Sequence, residues 1–172
     1  ITLDDTTLAV ATLNTLDGNT SGAVNAGTVA TLTGAAAAMN TAYASSGIIG
    51  LGNEAVTLDD TTLGESVLDT LDGNTTGVVN AGTVATLTGG AVAINTVYAS
   101  EGISGLGNEA ITLDDTLLAV AALNTLNGNT TGVVNAGTVT TLTGAAADVK
   151  ASYDADTAGT ISGLGDEAVS VS

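Results

Sequence analysis

The chain is 172 residues long and carries eighteen acidic residues against one cation, Lys150, for a net charge of −17. That balance excludes binding to nucleic acid or to an anionic membrane surface, since both need Lys and Arg to meet phosphates. With no Cys there is no disulfide or thiolate–metal framework, and no apolar run is long enough to span a bilayer.

The dominant feature is threefold repetition. Residues 1–55, 56–110 and 111–168 are copies of one unit, and the first two match at 41 of 55 positions without a gap. The third copy carries three extra residues near Asp156, and Val169–Ser172 open a further copy, which predicts a segment of a longer protein. Fixed-period self-similarity is the signature of a repeat architecture. The apolar fraction of 44% is mostly Ala, Val and Leu, with three Tyr and no Phe or Trp. Such small side chains bury little area each, so stability must come from many repeated contacts.

The second copy reads clearly in chain order. Asp59-Asp60 stand where a helix cap is expected, and Leu63, Val67, Leu68 and Leu71 share one helical face, predicting a helix over 61–72 that stops at Gly73 in the left-handed position. Two strand-like stretches follow, Gly77–Ala81 and Thr83–Leu87, rich in Val and Thr. A second helix is predicted from Gly89 to Ser100, with Thr88 as its cap and Gly102 beyond its end. Strands over Gly102–Leu106 and Ala110–Leu113 close the copy.

Each copy thus divides into two half-units of one helix plus strands. The succession Leu58, Leu87, Leu113 marks their bounds and makes the first half-unit slightly longer than the second. The fold predicted is an α/β tandem-repeat solenoid, with an all-β solenoid as the alternative. Parallel stacking and a hairpin turning at Asn80-Ala81-Gly82 are both compatible with the pattern.

Four acidic or amide series recur in phase. Asp4-Asp5, Asp59-Asp60 and Asp114-Asp115 are candidate calcium ligands, because paired carboxylates suit a hard cation, but they equally suit helix capping. Gly52-Asn53-Glu54, Gly107-Asn108-Glu109 and Gly165-Asp166-Glu167 match no calcium-loop spacing and read as turns. Asn19, Asn74 and Asn129 each head an N-glycosylation acceptor pattern, in a segment where a polar turn is also expected. Asn25, Asn80 and Asn135 could stack as an amide ladder. An ice-binding face would need Thr-x-Thr on every turn of the chain, whereas Thr86-Leu87-Thr88 recurs once per copy. With no His or Cys, and with acids that follow the repeat instead of converging, the chain is read as non-enzymatic.

Leu13-Asn14-Thr15-Leu16-Asp17-Gly18, Thr28-Val29-Ala30-Thr31-Leu32-Thr33-Gly34, Asn40-Thr41-Ala42-Tyr43-Ala44-Ser45 and Gly105-Leu106-Gly107-Asn108-Glu109-Ala110 resemble tandem repeats of very large acidic surface or secreted proteins of marine bacteria, cyanobacteria among them. That resemblance implies an extracellular or cell-surface setting and a role in adhesion, surface-layer formation or motility. Together the readings predict a structural segment that builds a stalk, fibre or coat, with neighbouring repeats or head-to-tail copies as partners. A calcium-dependent or glycan-binding adhesin module is the alternative.

Overall fold

The computed structural model describes all 172 residues as an α/β protein of six helices and short strands in wholly parallel ladders. In chain order the elements are β1 (Thr7–Ala9), α1 (Val10–Gly18), β2 (Val24–Asn25), β3 (Thr31–Gly34), α2 (Ala36–Ala44), β4 (Ile48–Ile49) and β5 (Ala55–Leu58). Next come β6 (Thr62–Gly64), α3 (Glu65–Asn74), β7 (Val79–Asn80), β8 (Thr86–Gly89), α4 (Ala91–Ala99), β9 (Ile103–Ser104) and β10 (Ala110–Leu113). The last copy supplies β11 (Leu117–Ala119), α5 (Val120–Asn129), β12 (Val134–Asn135), β13 (Thr141–Gly144), α6 (Ala146–Ala158), β14 (Ile161–Ser162) and β15 (Ala168–Val171). The helices exclude the all-β alternative, and the parallel ladders exclude a hairpin at Asn80-Ala81-Gly82.

The chain forms two compact units that interleave along the sequence. One comprises Ile1–Thr61, Val67–Val84 and Glu101–Gly105. It holds the sheet β1-β3-β5-β7-β9 and the pair β2-β4, to which Thr2 adds a bridge at Asn25. The other comprises Thr62–Ser66, Ala85–Ser100 and Leu106–Ser172, and holds the sheets β14-β12-β10-β8-β6 and β11-β13-β15.

Register, more than element type, departs from expectation. Thr7 pairs with Thr31 and Thr31 with Ala55, so successive strands of the ladder are separated by a nearly constant step in sequence, shortened by one residue where Val56 pairs with Val79. In the other unit Leu63 pairs with Leu87 and Leu87 with Ile111, the same step again. Leu87 therefore does not align with Leu58 or Leu113, and the two unequal half-units give way to nearly equal steps. A short further advance from Ala55 to Thr62 completes the period of the repeat. The three extra residues of the third copy lengthen α6 to thirteen residues and widen one step, so that Val134 pairs with Ile161.

Alternation then builds the core. Leu32, Val56 and Val79 form one buried row, while their neighbours Thr33, Thr57 and Asn80 point the other way, into partial or full exposure. The helices add Leu13 and Met39 in one unit, and Ile94, Leu123 and Leu126 in the other, all completely buried. Burying a Leu or Ile contributes roughly 1.5–3 kcal/mol.

Helices one step apart are stitched by amides. Asn14 Nδ2 donates to the Ala38 carbonyl and Asn40 Nδ2 to that of Val67; Asn95 and Asn124 repeat the contact at Ala122 and Asp148. Asp69 stands in α3 at the phase of Asn14 and Asn124, and its carboxylate has no N–H to offer.

Two helix expectations need correction. Residues Thr62–Gly64 are a strand, not the first turn of a helix over 61–72, because they satisfy the ladder to Thr86–Thr88. Gly73 lies inside α3 and is not a left-handed residue beyond its end. The helix predicted over Gly89–Ser100 does form, as α4, but Thr88 does not cap it.

Candidate functional site

The paired aspartates have a clear structural task. Asp60 Oδ2 accepts the N–H of Ala36, the first residue of α2, at 2.8 Å, and Asp115 Oδ2 accepts that of Ala91 in α4 at 2.7 Å. Each therefore caps a helix one step upstream and not the helix that follows it. Ala35 and Gly90, at the cap positions themselves, carry no side-chain acceptor, and a carboxylate suits both the free N–H groups and the positive end of the helix dipole. Asp4, Asp59 and Asp114 are exposed, as is Asp5. Nowhere do three acidic groups gather at metal-binding distance.

The Gly-Asn-Glu series forms the more elaborate site. Glu54 is fully buried, and its carboxylate accepts the Tyr43 hydroxyl at 2.9 Å and the Gly52 N–H at 2.9 and 3.1 Å. Glu109 repeats this with Tyr98 at 2.6 Å and Gly107, and Glu167 with Tyr153 and Gly165. All three tyrosines of the chain are used in this way. A buried carboxylate is costly unless it is fully hydrogen-bonded, which explains the Gly-x-Glu spacing: the glutamate folds back on an N–H two residues before it.

Burial, followed by the bond to the glutamate, pushes the phenols of Tyr43 and Tyr98 well above their usual value. For Tyr153 the bond to Glu167 is the larger cause and the value rises to about 12. Burial works to raise the Glu167 carboxyl, but the Tyr153 hydroxyl and the N–H groups of Gly165, Glu167 and Asp166 outweigh it, and the net direction is down.

The backbone of this turn is read by the following copy. Thr75 Oγ1 donates to the Glu54 carbonyl and Thr130 Oγ1 to that of Glu109, each at 2.7 Å. Gly77 and Gly132 then press on the same peptide: a Cβ on either would stand 2.2 Å from the glutamate carbonyl oxygen. Only glycine fits there.

The glycosylation candidates lie in this neighbourhood. Asn74 Nδ2 donates to Asn40 Oδ1 at 3.0 Å, and Asn129 Nδ2 to Asn95 Oδ1 at 2.9 Å; the sequon hydroxyls on Thr76 and Thr131 are exposed, while the intervening Thr75 and Thr130 are buried. Asn19 is exposed. Asn25, Asn80 and Asn135 do not stack on one another, because each strand pairs with the adjacent step and not with its counterpart in the next copy. Each instead accepts the N–H of the glycine two residues on, as at Asn80 Oδ1 and Gly82. Sequence reasoning missed the Tyr–Glu pairs, although the fixed spacing of Tyr43 to Glu54 and Tyr98 to Glu109 was available as a signal.

No helix is long and apolar enough to cross a membrane. No family model matches the chain, and neither a curated protein nor a solved structure is detectably similar to it.

Proposed function

We propose that the chain is a structural repeat segment of an extracellular or cell-surface protein, whose repeats stack as a solenoid to build a stalk, fibre or coat. The observation that carries this reading is the debt each step leaves to the next. The helix that begins at Ala36 is capped by Asp60, the peptide of Glu54 is covered by Thr75 and Gly77, and Val56 pairs onward with Val79. Asp60 and Asp115, like Glu54 and Glu109, are engaged in such contacts. The chain's one cation, Lys150, is paired with Asp154 at 2.6 Å.

The acidic surface suits a solvated secreted material, since high net charge keeps extended assemblies from non-specific clumping. The resemblance to acidic repeats of marine bacterial surface proteins points the same way.

Electron microscopy and small-angle scattering of the purified chain, with millimolar calcium and with chelator, test the proposal. An elongated particle of unchanged length and melting temperature in both conditions is expected. A globular particle, or a melting temperature that rises steeply with calcium, would replace it with the calcium-dependent adhesin reading.

A further inference from the structure

Two independent signs meet at Asn127. It heads the only Asn-Gly dipeptide of the chain, Asn127-Gly128; every other asparagine is followed by Thr, Ala or Glu. Its Oδ1 is also buried without a donor, and a buried polar atom that lacks a partner calls for an explanation.

The counterparts show what is missing. Asp17 accepts the Ser45 hydroxyl at 2.6 Å, and the turn after that serine presses on it: a Cβ on Gly47 would stand 2.1 Å from Asp17 Oδ1. Asp72 meets Gly102 in the same way, again at 2.1 Å. In the third copy α6 runs on to Ala158, and Gly159 beyond it has nothing within 4 Å of the place a Cβ would take. The Asn127 amide therefore has neither the hydroxyl nor the wall that holds the carboxylate at this phase.

The neighbouring backbone is open to attack chemistry. Gly128 is exposed, and a Cβ on it would meet nothing within 4 Å, so no side chain shields its nitrogen. Both residues lie in the last turn of α5, which ends at Asn129, with Thr130 already extended. Helical backbone holds the Gly128 nitrogen away from Asn127 Cγ, so ring closure needs this turn to open. Terminal turns open at little cost, and a glycine inside the helix lowers that cost further.

We infer that Asn127 is a site of spontaneous modification, at which the folded chain converts an amide into an acid by way of a cyclic imide. The Gly128 nitrogen gives up its proton and attacks Asn127 Cγ. The N–Cγ bond forms, the Cγ–Nδ2 bond breaks, and Nδ2 departs as ammonia after taking up one proton. Solvent water then adds to either carbonyl of the ring and opens one C–N bond, leaving aspartate or its β-linked isomer. Water is the only co-reactant.

The product has a structural consequence. A carboxylate at 127 stands where Asp17 finds a hydroxyl and the third copy supplies none. The β-linked isomer also lengthens the backbone just ahead of Asn129 and Thr130, whose bonds to Asn95 and to the Glu109 carbonyl hold the third copy to the second. That joint therefore weakens with age. At Asp17 and Asp72 the group is already an acid, held in place and carrying no amine to expel. The inference goes beyond the structural reading above and stands whether or not the repeats build a fibre.

Peptide mapping by mass spectrometry tests it, on the folded full chain incubated in mildly alkaline buffer. Amide-to-acid conversion is expected at Asn127 ahead of every other asparagine, with the melting temperature of the aged chain falling toward that of Asn127→Asp. Gly128→Ala, whose added methyl has free space, is expected to keep the circular dichroism of wild type and to slow conversion about tenfold or more. Asn127→Leu should keep its melting temperature through the same incubation. Conversion no faster at Asn127 than at the asparagines followed by Thr, conversion only in denaturant, or an unchanged rate in Gly128→Ala each overturns the inference.

Discussion

Asp60 closes the helix that begins at Ala36, its Oδ2 accepting the Ala36 N–H at 2.8 Å although α2 itself and the strands β4 and β5 separate the two residues in the chain. A carboxylate that precedes α3 in the chain therefore stabilises the earlier α2, and losing it should be felt there. Asp60→Ala, and likewise Asp115→Ala at α4, should each cost about 0.5–2 kcal/mol in urea unfolding. Asp59→Ala and Asp5→Ala, both at exposed positions, should leave the midpoint nearly unchanged. Equal losses at Asp59 and Asp60 would contradict this assignment.

Tyr43 and Tyr98 hold carboxylates that are completely buried, so their hydroxyls matter more than their rings. Tyr43→Phe should destabilise by about 1.5–3 kcal/mol, the range for a lost hydrogen bond to a charged group. A double-mutant cycle with Glu54→Gln should give a coupling energy well above measurement error. Additive losses would show that the pair does not act as a unit.

The same pairs set the pH limits of the fold. Tyr153 is raised to about 12 by its bond to Glu167, and Tyr43 and Tyr98 are raised further, chiefly by burial. A group raised on folding contributes stability that is present below its unfolded value, near 10, and is lost as pH climbs through the folded one. Tyrosinate absorbance of the native chain should therefore stay low until about pH 12. In denaturant all three tyrosines should titrate together near 10. Glu167 works at the other end: its carboxyl is lowered, so its contribution is present above the unfolded value and fades as pH falls through the folded one. Glu167→Gln should flatten the acid limb of a stability–pH profile.

Glycines in one repeat divide sharply by what faces them. Gly77→Ala places a Cβ 2.2 Å from the Glu54 carbonyl oxygen and should cost about 1–3 kcal/mol or more. Gly73→Ala meets nothing within 4 Å, lies in α3, and should stabilise by about 0.5–1 kcal/mol. Thermal melts of the two variants should move in opposite directions.

Asn127 marks where the third copy departs from the others. The equivalent Asp17 receives the Ser45 hydroxyl at 2.6 Å, but the longer α6 replaces that serine turn, and Asn127 Oδ1 is left buried with no donor. Asn127→Asp should cost about 1–3 kcal/mol, because it puts a charge where no donor waits. Asn127→Leu, of similar shape, should be close to neutral in the same denaturation assay.

Much of this protein is legible in its sequence. The period, the two helices per copy, the approximate strands and the buried Leu, Ile and Val positions follow from repetition and apolar spacing, because those signals act within a few residues. The tertiary structure alone decided which strand lies beside which. A ladder between Leu63 and Leu87 and one between Leu58 and Leu87 are equally compatible with composition; packing of α4 against β8, with β6 and β10 on either side of that strand, selected the first. The caps followed from that choice. Asp60 and Ala36 have no local relationship in the chain, so an aspartate that reads as the start of one helix serves the N–H groups of another. Glu54 shows the same limit, since its turn is local but its burial depends on Tyr43 and on Thr75 from the next copy. Short-range preference specified the parts, and long-range hydrogen bonding specified their partners.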